Sequence, residues 1–136
     1  MTQKEKRLLL IDLCARLPYG VIVHIHDNDV DDYDRQLIGE DLDFIELDRR
    51  NCKPYLRPMS SMTEKERDDL EDWSHGWFYV NEDGEIFPMG QFTGYGEFED
   101  GILVGIEYLI KNHFDYRGLI EMGLALEAPD GIYKTE

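Results

Sequence analysis

The segment LPYGVIVHIH, residues 17–26, carries the clearest secondary-structure signals in the first half of the chain. Pro18 stops any helix that precedes it, because proline lacks an amide hydrogen and its ring clashes with the preceding turn. The residues that follow, Val21–His26, are rich in β-branched side chains, and their odd-numbered positions are apolar. This alternation is typical of a strand with one buried face. The segment therefore predicts a helix that is followed directly by a half-buried strand.

The sequence on either side of this segment extends the prediction. Thr2 and Glu5 have capping-box spacing, and apolar residues follow at helical intervals, so we predict an amphipathic helix over residues 3–16. On the other side, Asp27–Asp34 is polar and rich in turn formers, which predicts the long acidic tip of a hairpin. A second strand is then predicted from Gln36 to about Leu47.

The middle of the chain carries a proline-rich stretch and a helix start. Residues 53–58, KPYLRP, contain two prolines, which favour an edge strand or an extended crossing. Thr63 and Glu66 form a second capping-box pattern, which predicts a helix that runs to about Trp73.

The second half of the chain begins with a hairpin signal. The Asp-Gly pair at residues 83–84 predicts a hairpin between strands at 77–80 and 85–89. Three glycines then mark residues 90–96 as a loop.

Helical patterns follow the glycine-rich stretch. Residues 102–104 fit a strand, but the wider apolar spacing favours a helix over about 101–113. We also predict a short helix from Tyr116 to Met122 that ends at Gly123, because glycine accepts the left-handed conformation found at helix ends. These elements predict one α+β domain with an N-terminal helix, a small antiparallel sheet or barrel-like meander, and two to three further helices.

The composition excludes several classes of partner. The 136 residues carry a formal net charge of −16, which argues against direct contact with nucleic-acid phosphates or an anionic membrane. No apolar run approaches the roughly 18 residues that a membrane span needs. We expect no secretion signal and a cytoplasmic location.

Two cysteines make no disulfide framework, so we expect free thiols, with Cys14 buried on the first helix and Cys52 in a strand or loop.

The charges are distributed in blocks. Asp27–Asp48 holds ten acidic residues and one basic residue, whereas Arg49–Arg67 holds six basic and two acidic residues. Asp68–Ile110 has eleven acidic residues and no lysine or arginine. We expect the basic block to pair with acidic side chains in the fold. Aromatic residues lie within and beside the last block, and a surface with carboxylates around aromatic rings suits a basic protein partner. The predicted partner-binding residues are Trp73, Trp77, Tyr79, Glu82, Asp83, Tyr95 and Glu97.

Other patterns suggest chemistry more weakly. His24 and His26 lie on the same face of the predicted strand, and with Asp27 they form a candidate metal site. The acidic segment that follows does not match a calcium loop in either register, because it lacks the central glycine or places Tyr33 at a ligand position. Cys52 lies among arginines and a lysine that would lower its pKa, but no nearby histidine makes it a nucleophile. We predict no catalytic residue and no cofactor.

Three stretches together resemble a known group of proteins. They are LCARLPYGV (residues 13–21), KPYLRPMSSMT (residues 53–63), and HFDYRGLIE with GLAL (residues 113–121 and 123–126). They resemble short proteins without an assigned activity that are frequent in gut Bacteroidales and in their phages and mobile elements. The resemblance implies a bacterial cytoplasmic or phage accessory protein. It also implies that these motifs form a common scaffold, while residues 27–48 and 68–100 differ and carry partner specificity.

These observations favour a non-enzymatic module that binds a protein partner with a basic surface through its acidic face. In a narrower version, the module imitates nucleic acid and blocks a DNA- or RNA-binding protein. The alternative is a metal- or small-ligand-dependent enzyme that uses the strand face of His24 and His26.

Overall fold

The computed structural model describes residues 1–74, 76, 78–88 and 98–133, which form two compact units of an α+β fold. The first unit comprises Met1–Leu56 and Arg117–Glu136, and the second comprises Arg57–Tyr116. In chain order the helices and strands are α1 (Gln3–Arg16), β1 (Ile22–Asp27), β2 (Val30–Gln36), α2 (Gly39–Glu46), β3 (Asn51–Leu56), α3 (Glu64–Trp73), β4 (Phe78–Val80), β5 (Ile86–Pro88), α4 (Phe98–Lys111) and β6 (Leu126–Glu127).

The first unit contains a four-stranded sheet in the order β2-β1-β3-β6. β1 runs antiparallel to both β2 and β3, whereas β6 pairs parallel with β3 through Tyr55 and Leu56. The sheet is therefore mixed rather than purely antiparallel. Tyr133 fastens the C-terminal segment to the sheet, because its hydroxyl donates to the Tyr55 carbonyl at 2.6 Å and accepts from the Ile22 amide at 2.9 Å.

The strongest local patterns give the predicted elements. α1 spans residues 3–16, and the Thr2 hydroxyl accepts from the Glu5 amide at its start. Val21, Val23 and Ile25 are fully buried, which confirms the predicted buried face of β1 and its flank. The capping box of α3 is present, β4 and β5 form the predicted hairpin, and the helix predicted for 101–113 is α4. The loop predicted for residues 90–96 lies outside the described residues.

The hairpin predicted after β1 is present, but the predicted length of its tip and the bounds of its second strand are wrong. The chain turns at Asn28 and Asp29, and β2 begins at Val30, so most of the predicted acidic tip is strand. β2 is an edge strand with mostly exposed side chains, where charged residues are tolerated. The predicted second strand is mostly helix α2, because the Asp41 carboxylate accepts from the Ile38 amide and caps the helix.

Two further predictions need correction. Residues 116–122 form turns rather than a helix, because Gly118 inside the segment has a left-handed backbone with φ of 77°. Gly123 has the predicted left-handed conformation, with φ of 75°. β3 lies between β1 and β6 rather than at an edge. It accommodates Pro54 because β6 is two residues long and pairs only beyond that proline.

Each unit has its own hydrophobic core. In the first unit, α1 packs Leu9 and Leu13 against the apolar face of the sheet, together with Ile45 of α2 and Leu119 of the C-terminal segment. The second unit buries a smaller set of side chains, namely Met62, Leu70, Val80, Leu109 and Phe114.

Candidate functional site

Four carboxylates lie along the solvent-exposed side of α3, and we call them the acidic stripe: Glu64, Asp68, Glu71 and Asp72. Residues three or four positions apart share a helix face, so these side chains lie in a row over two turns. The buried Leu70 marks the opposite side of the helix. Among the described residues, none of the four carboxylates forms an ion pair. The stripe is therefore a concentrated, uncompensated negative charge.

An exposed tryptophan follows the stripe. Trp73 keeps 56% of its surface exposed although it is a large apolar side chain. Its ring lies 6.5 Å from the Tyr108 ring, centroid to centroid, and the Lys111 Nζ lies 6.0 Å from its centroid. These contacts hold the indole on α4 and leave one side of it open to solvent. Burial, with help from the carboxylates of Glu66 and Asp69, raises the pKa of Tyr108 to about 12.

The structure places four of the seven predicted partner-binding residues at the surface of the second unit. Trp73, Tyr79, Glu82 and Asp83 are all exposed, the last two at the hairpin turn between β4 and β5. The predictions for Trp77, Tyr95 and Glu97 lie outside the described residues. The acidic stripe is not among the predicted partner-binding residues, although the sequence shows the helical spacing of its carboxylates.

A cluster of histidine and aspartate side chains covers the outer face of β1 and β2. His24 Nδ1 lies 2.7 Å from the Asp34 carboxylate, and His26 Nδ1 lies 2.7 Å from that of Asp32. Hydrogen bonding to Asp34, and more weakly to Asp32, raises the pKa of His24. Hydrogen bonding to His26 and then to His24 lowers the pKa of Asp32. Tyr55 completes the cluster, since its hydroxyl donates to Asp34.

The predicted metal ligands are engaged with other protein groups. Both histidines bind aspartates of β2, while Asp27 accepts from the Asp29 amide and lies 3.6 Å from Arg50. Within the described residues, no group of three or more histidine, cysteine, aspartate or glutamate side chains is arranged to hold a metal ion. The metal site stays a prediction.

Part of the basic block, namely Arg50, Arg57 and Lys65, pairs with acidic side chains, as expected from the charge pattern. In the first unit, the buried Asp41 accepts two hydrogen bonds from Arg35, at 2.6 and 2.8 Å, and one from Arg50 at 3.0 Å. In the second unit, Arg57 holds Glu66 through two 2.7 Å hydrogen bonds. Burial works against ionisation of Glu66, but these bonds outweigh it and lower its pKa. Arg50 and Arg57 therefore serve to hold the fold.

The two cysteines are free, and Cys52 lies in a strand as predicted, but the predicted burial of Cys14 is wrong. Cys14 is exposed on α1, and Cys52 is buried in the sheet. Burial raises the pKa of Cys52 to about 12, with a further rise from Asp41, so the neighbouring arginines do not activate it. Cys52 is a core residue and not a nucleophile at neutral pH.

Two features of the first unit depend on residues that are far apart in the sequence. Asp12 is fully buried and binds Arg16 at 2.7 Å and Arg117 at 3.1 Å, which joins two of the quoted motifs to one carboxylate. The other feature is a cavity of about 460 Å³ that opens beside the start of β3. Both are assembled from distant parts of the chain.

Comparisons of the chain with protein-family models, with curated proteins and with solved structures find no match. In the described part of the chain, no helix has the length and apolar character needed to cross a membrane.

Proposed function

We propose that this protein is a non-enzymatic interaction module whose acidic stripe and Trp73 bind the basic surface of a protein partner. The observation that carries the proposal is the row of four exposed carboxylates without an ion pair, which ends beside a half-exposed indole. Complementary charge speeds and orients such encounters, and tryptophan is enriched among the residues that dominate binding energy.

The position of the stripe in α3 supports a role in binding. Glu71 and Asp72 lie in the last turn of α3, which has no basic residue. The carbonyl end of a helix disfavours negative charge there, by about 0.3–1 kcal/mol for each exposed carboxylate. These two residues therefore weaken the helix that carries them. Side chains that break a local stability rule are expected at functional positions.

The narrower proposal is that the stripe imitates a nucleic-acid backbone and occupies the site of a DNA- or RNA-binding protein. A nucleic-acid site is lined with lysine and arginine, which is the surface that the stripe complements. The resemblance to proteins of gut Bacteroidales and their phages favours a bacterial cytoplasm as the setting and an accessory role there.

The test is a pull-down from a native bacterial lysate with the whole tagged protein, read by mass spectrometry at low and at moderately high salt. The test variant neutralises the stripe through Glu64→Gln, Asp68→Asn, Glu71→Gln and Asp72→Asn. The control neutralises four exposed acidic side chains of the first unit, which have no ion pair among the described residues: Asp31→Asn, Asp43→Asn, Glu46→Gln and Glu121→Gln. Both variants change the net charge by the same amount.

We expect one partner that the wild type and the control retain at low salt, and that high salt or the stripe variant releases. A DNA oligonucleotide that competes for the same partner supports the narrower proposal. Equal loss in the stripe variant and the control shows that total charge matters and not the stripe. Retention that neither salt nor the stripe variant changes contradicts the proposal.

A further inference from the structure

The first unit contains a cavity of about 460 Å³, a volume that suits a small organic ligand. Its polar wall comes from the end of β1, the following turn, and the start of β3 with the loop before it. The basic and amide residues of this wall are His26, Asn28, Arg49, Arg50, Asn51 and Lys53. Basic and amide side chains thus gather in one place on a protein whose total charge is −16.

Backbone geometry brings the arginines to this wall. α2 ends at Glu46, and Asp48 adopts a left-handed conformation with φ of 56°. The Arg49 amide then donates to the Phe44 carbonyl at 2.9 Å and fixes the reversal. The chain enters β3 two residues later, where Asn51 pairs with His26 of β1.

The acidic residues of the wall are already engaged. Asp48 pairs with the buried Lys6 at 3.2 Å, and Glu5 accepts from the Thr2 amide in the capping box of α1. Arg50 is held by Asp41, with Asp27 nearby.

The remaining cations of the wall are available to a ligand. In the described part of the chain, Arg49 and Lys53 form no ion pair and no side-chain hydrogen bond. The cavity therefore offers two cations that form no ion pair, next to the amide groups of Asn28 and Asn51, while the negatively charged Glu5 also lines it. Two cations with flanking donors match an anion that carries about two negative charges.

The cavity also has an apolar wall. Ile45, Met122 and Leu124 form it, and the first and last of these belong to the buried part of the unit. An inorganic anion gains nothing from such a wall, whereas the organic part of a phosphate ester buries apolar surface against it.

We infer that this cavity is a binding site for a small organic phosphate, with Arg49 and Lys53 contacting the phosphate and the apolar wall contacting the organic group. This inference does not rest on the proposed function, because the acidic stripe belongs to the other unit. Loss of one activity leaves the other intact.

The test is isothermal titration calorimetry of the whole protein with three probes: phenyl phosphate, inorganic phosphate and benzyl alcohol. We expect phenyl phosphate to bind with a Kd of about 1 mM, a typical strength for a ligand of this size. Inorganic phosphate should bind at least about fivefold more weakly because it lacks the apolar part, and benzyl alcohol should give no measurable heat.

The variants Arg49→Gln and Lys53→Gln each remove one charge from the cavity. Each should weaken phenyl phosphate binding by about tenfold, the usual effect of losing a hydrogen bond to a charged group. Arg7→Gln and Lys65→Gln are the controls, since both side chains are exposed outside the cavity and each substitution removes the same charge. Circular dichroism checks that all four variants fold.

Three outcomes overturn the inference. The first is no saturable binding of phenyl phosphate up to 10 times the expected Kd. The second is equal weakening by the cavity variants and their controls, which indicates binding through total charge. The third is equal affinity for inorganic and phenyl phosphate. That result would show that the cavity binds a free anion and that the apolar wall adds nothing to binding.

Discussion

The buried carboxylate of Asp41 is predicted to be a main source of stability in the first unit. It is fully buried and accepts four hydrogen bonds, two from Arg35, one from Arg50 and one from the Ile38 amide. Removing one member of a buried ion pair costs about 3–5 kcal/mol, because the remaining charge is left uncompensated. The Arg35 side chain is 30% exposed, so water can solvate its charge once Asp41 is removed, which reduces this cost. We therefore expect Asp41→Ala to lower the free energy of unfolding by about 3 kcal/mol.

The measurement is urea denaturation followed by far-ultraviolet circular dichroism, with the transition midpoint compared at constant slope. Asp43→Ala is the matched control, because Asp43 lies on the same helix, is exposed, and has no side-chain partner among the described residues. It should change the free energy of unfolding by no more than about 0.5 kcal/mol. Asp41→Asn keeps the side-chain volume and removes the charge, so the stability that it loses should lie between the losses for Asp41→Ala and Asp43→Ala. A loss of less than about 1 kcal/mol for Asp41→Ala would refute the ion-pair reasoning.

Three further predictions concern single positions. The Asp34 hydrogen bond raises the pKa of His24, so protonated His24 stabilises the fold below about pH 6.5, and this contribution disappears as pH rises through the raised pKa. Asp34→Asn should lower that pKa in an NMR titration. Thiol labelling of the native protein at neutral pH should modify Cys14 quickly and reach Cys52 only on unfolding, because burial raises the pKa of Cys52 to about 12. Gly84→Ala should destabilise the second unit by more than about 1 kcal/mol, since φ is +83° and the added carbon would collide with the backbone nitrogen of Ser60.

A specific result would contradict each of these three predictions. An unchanged titration of His24 in the Asp34→Asn variant would show that the carboxylate is not the cause of the shift. Equal labelling rates for both thiols would contradict the burial of Cys52. Gly39→Ala is the control for the glycine, because no atom lies within 4 Å of its added carbon and alanine favours the helix. If Gly84→Ala and Gly39→Ala change the free energy of unfolding by the same amount, the close backbone approach at Gly84 does not require a glycine there.

The sequence predicts those elements whose signals are local. The capping boxes at Thr2 and Thr63 locate α1 and α3 to the residue at their starts, because both partners of each cap lie within four positions. The Asp-Gly turn likewise predicts β4 and β5, since a two-residue signal specifies the reversal.

The failures arise where distant residues decide the structure. β2 is acidic and lacks its own apolar pattern, and it is a strand because β1 pairs with it. α2 is capped by Asp41, whose carboxylate is fixed by arginines on β2 and before β3. β6 has only two residues, and it is a strand because it pairs with Tyr55 and Leu56 of β3. The cavity joins β1, β3 and the C-terminal turns, so no single window of the sequence shows it.

The parallel pairing of β3 with β6 has a consequence for synthesis on the ribosome. Leu56 leaves the ribosome well before Leu126, and at 5–20 residues per second the delay is about 4 to 14 s. During this interval one side of β3 has no strand to pair with, and unpaired strand edges promote aggregation. The second unit, by contrast, is continuous in sequence and is complete earlier. The newly made first unit therefore depends on Leu126 and Glu127 to complete its sheet, and any stall before Leu126 leaves that edge open.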